Sequence, residues 1–346
     1  MMTKFGFVIP AIVLLAACGS SNSGGGASSS QIKIVGSSTV YPFTTAVAEG
    51  FQRDNPGTSV IVESTGTGAG MKLFCAAVGG TSPDMTNASR PIKKSEYEAC
   101  VKNGAKSVIE VPIGIDGLTF IQNKDAAPLS LTVKDIYMAL AANPFGKPNT
   151  AKTWHDVNPA LPTQKIHVMG PPPTSGTRDS LAELILAKGC ETDPAMKALK
   201  TSDEKKQKDI CTKIREDGAY VEAGENDNLL VQKVAVDKDT LGVLGFSYLD
   251  ENADKVKAVS LGGVSPSEET IANLSYPGSR KLYIYFKGEH LAVKPKIKDF
   301  VAAYAKMWGK NGLLEKRGLV PFAGADATAA TAQAAALTPL DGSTVK

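Results

Sequence analysis

Segments with a strand pattern alternate with segments with a helix pattern from residue 31 onward, and this alternation is the strongest constraint on the fold. Residues 31–36 alternate apolar and polar side chains, and a helix pattern begins at Pro42. Residues 59–63 and 71–78 repeat the pair. Further strands are predicted at residues 166–170 and 241–246, and a further helix at residues 179–188. Alternation of this kind predicts an α/β fold with a mainly parallel sheet.

Two extended runs divide this pattern. Residues 108–123 are longer than a typical strand, and residues 281–287 form a second run near the far end. Since a long strand can leave one domain and enter another, we expect two α/β lobes, the second inserted into the first, with the two strands as the hinge. The predicted first lobe comprises residues 31–115 and 282–346, and the predicted second lobe comprises residues 116–281.

The composition is that of a globular protein. The chain has 346 residues, of which 42% are hydrophobic and 21% charged, with a formal net charge of +3. That charge is too small for the clustered basic face of a nucleic-acid-binding protein. An aromatic content of 6% also argues against a stacking surface for single strands. No apolar run reaches the roughly 18 residues of a membrane-spanning helix.

The amino terminus has the pattern of an export signal. Lys4 precedes a short apolar stretch, residues 5–14, and Leu-Ala-Ala then leads to Cys18. This boundary resembles a bacterial lipobox, in which the cysteine is lipidated; the alternative is a plain secretory signal. The Gly/Ser-rich segment that follows is typical of a flexible tether. We therefore predict a signal peptide at residues 1–17 and a lipidated cysteine with a flexible linker at residues 18–30.

The remaining cysteines predict disulfide bonds. Five cysteines less Cys18 leave four, an even number in an exported chain. Of three possible pairings, the local one, Cys75–Cys100 with Cys190–Cys211, closes two short loops of similar length. A zinc site is the competing interpretation, but no pair has CxxC spacing and the chain has only three histidines. We expect the local disulfides and no metal site.

Three places combine hydroxyl residues and glycine with the predicted start of a helix: residues 36–39, 64–70 and 174–178. A helix amino terminus carries unpaired N–H donors and partial positive charge, so it binds small oxyanions. Serine and threonine also cap most helices, so capping explains each place taken alone. A cleft between two lobes would gather all three around one ligand.

The order of GSSTVYPF, STGTGAGMK, NASRPIK and TSGTRDS along the chain resembles that of the periplasmic phosphate-binding proteins of ABC phosphate transporters. YPGSRKLYIYFK is similar to the return strand of that family, so the resemblance extends over roughly residues 31–322. It implies a two-lobed periplasmic binding protein of type II with two crossing hinge strands. It also implies high-affinity binding of inorganic phosphate between the lobes, delivery to a membrane permease, and neither catalysis nor a cofactor.

The resemblance assigns anion-binding residues at the three helix starts. They are Ser38, Thr39 and Val40 at the first, Thr67 at the second, and Ser175, Gly176 and Thr177 at the third. Hydroxyl groups and backbone amides at these positions would donate hydrogen bonds to the anion without adding net charge.

Two departures from the family concern charged residues. Arg90 stands where better-known members carry an acid, and its planar fork is expected to hold two phosphate oxygens. The alternative is a surface ion pair with an acid such as Asp84. Prolines replace the arginine and aspartate that precede the third turn in familiar members, so Arg178 is expected to supply positive charge. Asp179 and Asp84 are then the candidate acceptors for the proton that phosphate carries and sulfate lacks; the other interpretation of Asp179 is favourable charge in a helix's first turn.

Enzyme classes have little support in the sequence. None of His155, His167 and His290 adjoins a nucleophile motif, and no carboxylates are paired at hydrolase spacing. Three alternatives stay open: a binder of another tetrahedral oxyanion such as sulfate, an exported phosphoester hydrolase on the same fold, and a surface sensor or adhesion protein. We expect a monomer, anchored by lipid at the periplasmic face of a bacterial membrane, with no nucleic-acid partner.

Overall fold

The structure is a computed structural model that describes residues 1–2, 30–173, 175–224 and 226–345. The predicted lipidation site Cys18 and most of the predicted signal peptide and linker lie outside the described residues. In the part of the chain that is described, no helix is both long enough and apolar enough to cross a membrane.

Strands and helices alternate up to residue 123, as the sequence patterns predict, and beyond it several helices follow one another directly. The strands are β1 (Gln31–Gly36), β2 (Ser59–Ser64), β3 (Met85–Ala88), β4 (Val108–Asn123), β5 (Ser130–Leu131), β6 (Val168–Gly170), β7 (Tyr220–Glu222), β8 (Leu241–Gly245), β9 (Val256–Ala258), β10 (Ser260–Leu261) and β11 (Ser279–Lys287). The helices are α1 (Tyr41–Asp54), α2 (Thr67–Phe74), α3 (Lys94–Lys102), α4 (Val133–Leu140), α5 (Trp154–Val157), α6 (Gly176–Ser180), α7 (Ala187–Cys190), α8 (Pro194–Ser202), α9 (Glu204–Thr212), α10 (Asp227–Val236), α11 (Phe246–Glu251), α12 (Glu268–Ala272), α13 (Lys296–Met307) and α14 (Gly324–Ala336). Short 3₁₀ turns lie at Pro144–Gly146, Gly288–Leu291 and Glu315–Arg317.

Most of the strands form one mixed sheet in the order β2-β1-β3-β11-β4-β8-β6-β7, with β9 also paired to β4. β1 is parallel to β2 and β3, and β6 is parallel to β7 and β8. β11 is antiparallel to both β3 and β4. The sequence predicts a mainly parallel sheet, but the observed sheet is mixed. The reason is that the chain returns to the first half of the sheet on β11, which pairs antiparallel with β4.

β4 joins the two halves of the sheet. Its residues up to Gly117 pair with β11, whereas its residues from Leu118 onward pair with β8. The hydrophobic core divides at the same strand, since Ile113 packs in one buried cluster and Ile115 in another. The fold therefore has two lobes joined by β4 and β11, the type II arrangement that the resemblance implies. The residue at which each lobe ends stays a prediction.

Two helices begin earlier than the sequence predicts. α2 begins at Thr67 rather than at residue 71. The helix predicted at residues 179–188 begins at Gly176 and continues from α6 through a π-helical turn, Leu181–Leu186, into α7. Both shifts place a predicted site residue in the first turn of its helix, where the N–H groups have no partner within the helix.

Both predicted disulfides are present. Cys75–Cys100 joins the end of α2 to α3, and Cys190–Cys211 joins the end of α7 to α9. The sequence separations of 25 and 21 residues close short loops. On the chain-entropy account, a loop of this size stabilises the folded protein by about 3 kcal/mol.

Candidate functional site

The first and second helix starts lie against each other. Gly36 ends β1 with a φ of +125°, and its carbonyl oxygen accepts hydrogen bonds from the N–H groups of Thr65 and Gly66, both at 2.9 Å. A Cβ on Gly70 would lie 2.4 Å from the Cα of Gly36, so only glycine allows α2 to approach this closely. The amino termini of α1 and α2 are therefore adjacent at the carboxyl end of β1.

The third helix start meets the first across the cleft between the lobes. Thr39 Oγ1 donates a hydrogen bond to the carbonyl oxygen of Gly176 over 3.1 Å. A Cβ on Gly176 would lie 2.5 Å from the Cα of Thr39 and 2.7 Å from the carbonyl oxygen of Ser38. The structure therefore brings together the three helix starts that the sequence singles out.

Arg280 supplies positive charge at this meeting point. It lies near the start of β11, and its side chain is only 9% exposed. Nη2 donates to Thr39 Oγ1 over 2.9 Å and to Ser180 Oγ over 2.8 Å, while Nε donates to Asp116 Oδ2 over 3.2 Å. The guanidinium thus contacts the turn before α1, the helix α6 and the hinge strand β4.

Two carboxylates on the α6–α7 helix face hydroxyl groups of the other lobe. Ser38 Oγ donates to Asp179 Oδ2. Ser89 Oγ donates to Glu183 Oε2 over 3.4 Å, and Arg280 Nη1 donates to the same oxygen over 2.5 Å. Burial, and then the charge of Glu183, raise the pKa of Asp179 above its usual value. A raised pKa means that Asp179 accepts a proton more readily than a solvated aspartate does.

Thr67 is buried and bound to the residue after β3. Its Oγ1 accepts a hydrogen bond from the N–H of Ser89 over 3.1 Å and lies 2.9 Å from Ser89 Oγ. Ser175 caps α6, since its Oγ accepts from the N–H of Thr177 over 3.2 Å. Val40 is the residue at the N-cap position of α1. Capping therefore accounts for Ser175 in this structure, and ligand binding by these residues stays a prediction.

The fork of Arg90 is bound to Glu96. Nη1 donates to Glu96 Oε2 over 2.9 Å, and Nη2 donates to Oε1 over 2.7 Å. Burial acts to lower the pKa of Arg90, but the hydrogen bonds and the charge of Glu96 raise it overall. Arg90 thus has the ion pair of the alternative interpretation, although its partner is Glu96 and not Asp84. The predicted anion clamp would require this pair to break.

Arg178 contacts other groups of the second lobe. Its guanidinium lies 4.4 Å from the centre of the Tyr220 ring, a cation–π contact. Nη1 donates to the carbonyl oxygen of Pro171 over 3.2 Å and lies 3.7 Å from Glu222 Oε1. In this arrangement Arg280, rather than Arg178, donates to the hydroxyl groups at the helix starts.

Asp84 is wrong as a candidate proton acceptor. It is fully buried and accepts hydrogen bonds from Lys294 Nζ and the N–H of Lys33, both over 2.8 Å, while its other oxygen lies 2.6 Å from His290 Nδ1. Burial opposes ionisation, but the bonds from His290 and Lys294 hold the pKa of Asp84 below its usual value. It precedes β3, whereas Ser89 follows β3, so Asp84 lies at the opposite edge of the sheet from the helix starts.

Sequence reasoning missed Arg280, Glu183 and Ser89. Arg280 stands beside the extended run predicted as a hinge strand, and its register partner on β4 is Asp116. That position at a hinge is the signal that could have indicated Arg280. Its bonds to Asp116 and Glu183 span sequence separations of 164 and 97 residues, which no local pattern predicts.

The histidines lie in other contacts. His290 is paired with Asp84, His167 Nδ1 lies 2.6 Å from Thr240 Oγ1, and His155 is on the short helix α5. Within the described ranges, no group of three or more His, Cys, Asp or Glu side chains could hold a metal ion. The groups that meet at the helix starts are hydroxyls, backbone N–H groups and one guanidinium, which can donate hydrogen bonds to an oxyanion, together with the carboxylates of Asp116, Asp179 and Glu183.

The comparisons with known proteins agree with this geometry. The PBP superfamily domain matches residues 21–305. The chain is 36% identical to Protein SphX of Synechococcus elongatus over 93% of this chain and 88% of that one. It is 32% identical to the phosphate-binding protein PstS of Staphylococcus saprophyticus over 92% of this chain and 89% of that one. A crystal structure described as a possible phosphate binding protein from Planctomyces limnophilus superposes with a TM-score of 0.71 at 29% identity, covering 89% of this chain and 98% of that one. The chain therefore belongs to the PBP superfamily and, within it, to the family of the phosphate-binding protein PstS and its relative SphX.

Proposed function

We propose that this protein binds inorganic phosphate between its two lobes and delivers it to the membrane permease of an ABC transporter, with no chemical step. The observation that carries the proposal is the contact of Thr39 with Gly176 beside Arg280. Helix amino termini from both lobes and one guanidinium lie together at this contact. An oxyanion bound there contacts both lobes, so it stabilises their closed arrangement over an open one.

The proposed ligands of the anion are the hydroxyl and N–H groups of the helix starts and the guanidinium of Arg280. The residues at the helix starts are Ser38, Thr39, Val40, Thr67, Ser175, Gly176 and Thr177. A micromolar dissociation constant corresponds to about 8 kcal/mol. Several charge-assisted hydrogen bonds of about 1.5–3 kcal/mol each supply that free energy. Arg90 would bind the anion only if its hydrogen bonds to Glu96 broke, and Arg178 only if it left the face of the Tyr220 ring.

Asp179 is the proposed acceptor for the proton of phosphate. Phosphate keeps a proton near neutral pH, whereas sulfate has none. A buried carboxylate in the site therefore accepts a hydrogen bond from phosphate and repels sulfate. The position of Asp179 in the first turn of the α6–α7 helix, within hydrogen-bonding reach of Ser38, supports this role.

The named relatives support phosphate over other oxyanions. The Staphylococcus saprophyticus relative is called a phosphate-binding protein, and the Planctomyces limnophilus structure a possible one. We infer that this chain has the same ligand, because it is 32% identical to the Staphylococcus saprophyticus protein over 92% of this chain. The hydrogen-bond donors and the positive charge at the helix starts are compatible with that ligand.

The amino-terminal pattern supports a lipid-anchored carrier. We propose that the signal peptide is cleaved before Cys18, that Cys18 carries lipid, and that residues 19–30 tether a monomeric domain to the periplasmic face of a bacterial membrane. We also propose that the lobes are bounded as predicted, with residues 116–281 as the inserted lobe.

Titration calorimetry of the purified protein with phosphate, arsenate and sulfate tests the proposal. Phosphate and arsenate, which protonate alike, are expected to bind with micromolar or lower dissociation constants, and sulfate far more weakly. Sulfate binding as tight as that of phosphate would favour the other-oxyanion alternative. Release of phosphate from a phosphoester would favour the hydrolase, and no binding of any oxyanion overturns the proposal.

A further inference from the structure

Glu183 accepts hydrogen bonds from two of the donors near the proposed anion site. Its Oε2 accepts a hydrogen bond from Arg280 Nη1 over 2.5 Å and another from Ser89 Oγ over 3.4 Å. Ser89 is in turn bound to Thr67, a predicted anion ligand. One carboxylate oxygen of the second lobe therefore lies between a hydroxyl of the first lobe and the guanidinium at the hinge.

The surroundings of Glu183 differ from those of the other two carboxylates near Arg280. Asp116 is 17% exposed and is held by Ser180 Oγ over 2.6 Å as well as by Arg280 Nε. Asp179 accepts from Ser38. The Glu183 side chain is 41% exposed, against 17% for Asp116, so it has room to turn toward solvent. It also lies in the π-helical turn Leu181–Leu186, and such turns are frequent at functional sites.

We propose that the carboxylate of Glu183 competes directly with the anion for Arg280 and Ser89, and so lowers the affinity of the site. The inference rests on the proposed function. A carboxylate and a phosphate present similar acceptor oxygens to a guanidinium, so they compete for the N–H of Arg280 Nη1 that points at Glu183. Ser89 Oγ has a single hydrogen, so it cannot donate to Glu183 and to the anion at once. When an anion binds, it therefore accepts the hydrogen bonds of Arg280 and Ser89 in place of Glu183. The Glu183 side chain then turns out toward solvent.

This role differs from that of a proton acceptor in its effect on selectivity. A competitor for Arg280 opposes phosphate and sulfate alike, because both offer oxygens to the same donor. A proton acceptor favours phosphate and opposes sulfate. The two roles therefore predict opposite effects on phosphate binding when the charge of Glu183 is removed.

Titration calorimetry of Glu183→Gln with phosphate and with sulfate separates the roles. We expect both anions to bind at least roughly fivefold more tightly than to the parent, a change of about 1 kcal/mol. Glu191→Gln is the matched control: Glu191 follows the same helix, its charge change is identical, and it pairs with Lys200 instead of the site. It is expected to bind both anions as the parent does.

A second variant separates direct competition from a general effect of charge. Glu183→Asp keeps the charge but shortens the side chain by one methylene, so its carboxylate no longer reaches Arg280 and Ser89 together. If Glu183 competes directly, both anions should bind this variant more tightly. If Glu183 acts only through the long-range effect of its negative charge, binding should be unchanged.

Each contrary result overturns the inference in a recognisable way. Weaker phosphate binding with stronger sulfate binding in Glu183→Gln would make Glu183 a proton acceptor. Unchanged binding of both anions would indicate that Glu183 does not affect anion binding. Failure of the parent itself to bind phosphate would refute the proposed function, and the inference would fall with it.

Discussion

Thr39 and Gly176 are in direct contact across the cleft, where Thr39 Oγ1 donates to the carbonyl oxygen of Gly176 over 3.1 Å. No side chain fits between them, since a Cβ on Gly176 would lie 2.5 Å from the Cα of Thr39. The closed arrangement of the lobes therefore requires glycine at this position.

Gly176→Ala is expected to weaken phosphate binding at least roughly tenfold, or by about 1.4 kcal/mol. The added methyl group contacts backbone atoms, which cannot turn away as a flexible side chain can. Calorimetry measures the affinity, and small-angle scattering shows whether the lobes still close on phosphate. Gly309→Ala is the control, because nothing lies within 4 Å of a Cβ built there. Parent-like binding by Gly176→Ala would contradict the closure that the proposal requires.

Arg280→Ala is expected to lose more than about 2 kcal/mol of phosphate binding, since it removes charged hydrogen bonds. Arg280→Lys should recover only part of the loss, because lysine has the charge but not the planar fork. Arg90→Ala should cost less than about 1 kcal/mol of phosphate binding, because the guanidinium of Arg90 is hydrogen-bonded to Glu96. Calorimetry of the three variants ranks the arginines, and a larger loss for Arg90→Ala would restore Arg90 as the anion clamp.

Asp179→Asn is expected to reduce the preference for phosphate over sulfate by at least roughly tenfold. The amide oxygen can still accept from Ser38, but the variant has no charge to repel sulfate and binds no proton. The ratio of the two dissociation constants is the measurement. Asp209→Asn, on the exposed surface of α9, makes the same charge change away from the cleft and should leave the ratio as it is. An unchanged ratio in Asp179→Asn would assign the proton to another acceptor.

Lys287 makes stability depend on pH in the alkaline range. It is fully buried and donates to Ala77, Ser82 and Pro83, and burial lowers its pKa to about 8. Between this value and the ordinary pKa of about 10.4, the unfolded chain binds the proton and the folded chain does not, so the free energy of unfolding rises with pH.

Relative to Lys287→Met, the parent should therefore gain about 1–2 kcal/mol of stability between about pH 7.5 and about pH 9.5. Urea unfolding of both proteins at the two pH values gives the difference. Tyrosines cancel in this comparison because both proteins contain them. A difference that is constant with pH would mean that Lys287 is charged, or neutral, throughout the range.

Cys18→Ser is expected to leave the protein unprocessed or to release it from the membrane. The Leu-Ala-Ala-Cys boundary and the Gly/Ser linker motivate this prediction. Fractionation of cells, with mass spectrometry of the amino terminus, is the measurement. A Cys18→Ser protein that is still lipidated and still sediments with membranes would sink the anchoring proposal.

Local patterns predicted much of the secondary structure. The strands at residues 31–36 and 108–123 have the predicted bounds, because apolar alternation and near-continuous burial are set by the residues themselves. α2 was predicted too late in the chain. Its first turn, Thr67–Gly70, has glycines that disfavour a helix locally, and packing against Gly36 stabilises it.

Local patterns were enough to predict most strands and helices, the cysteine pairs and the three hydroxyl-rich segments, because each depends on residues near one another in the chain, although two of the helices begin earlier than predicted. Which arginine meets those segments depends on contacts between distant parts of the chain. Glu96 holds Arg90 and Tyr220 holds Arg178, whereas β11 brings Arg280 beside Thr39. A guanidinium pairs with whichever acceptor the fold places within about 3 Å of it, and segments far apart in the chain supply those acceptors.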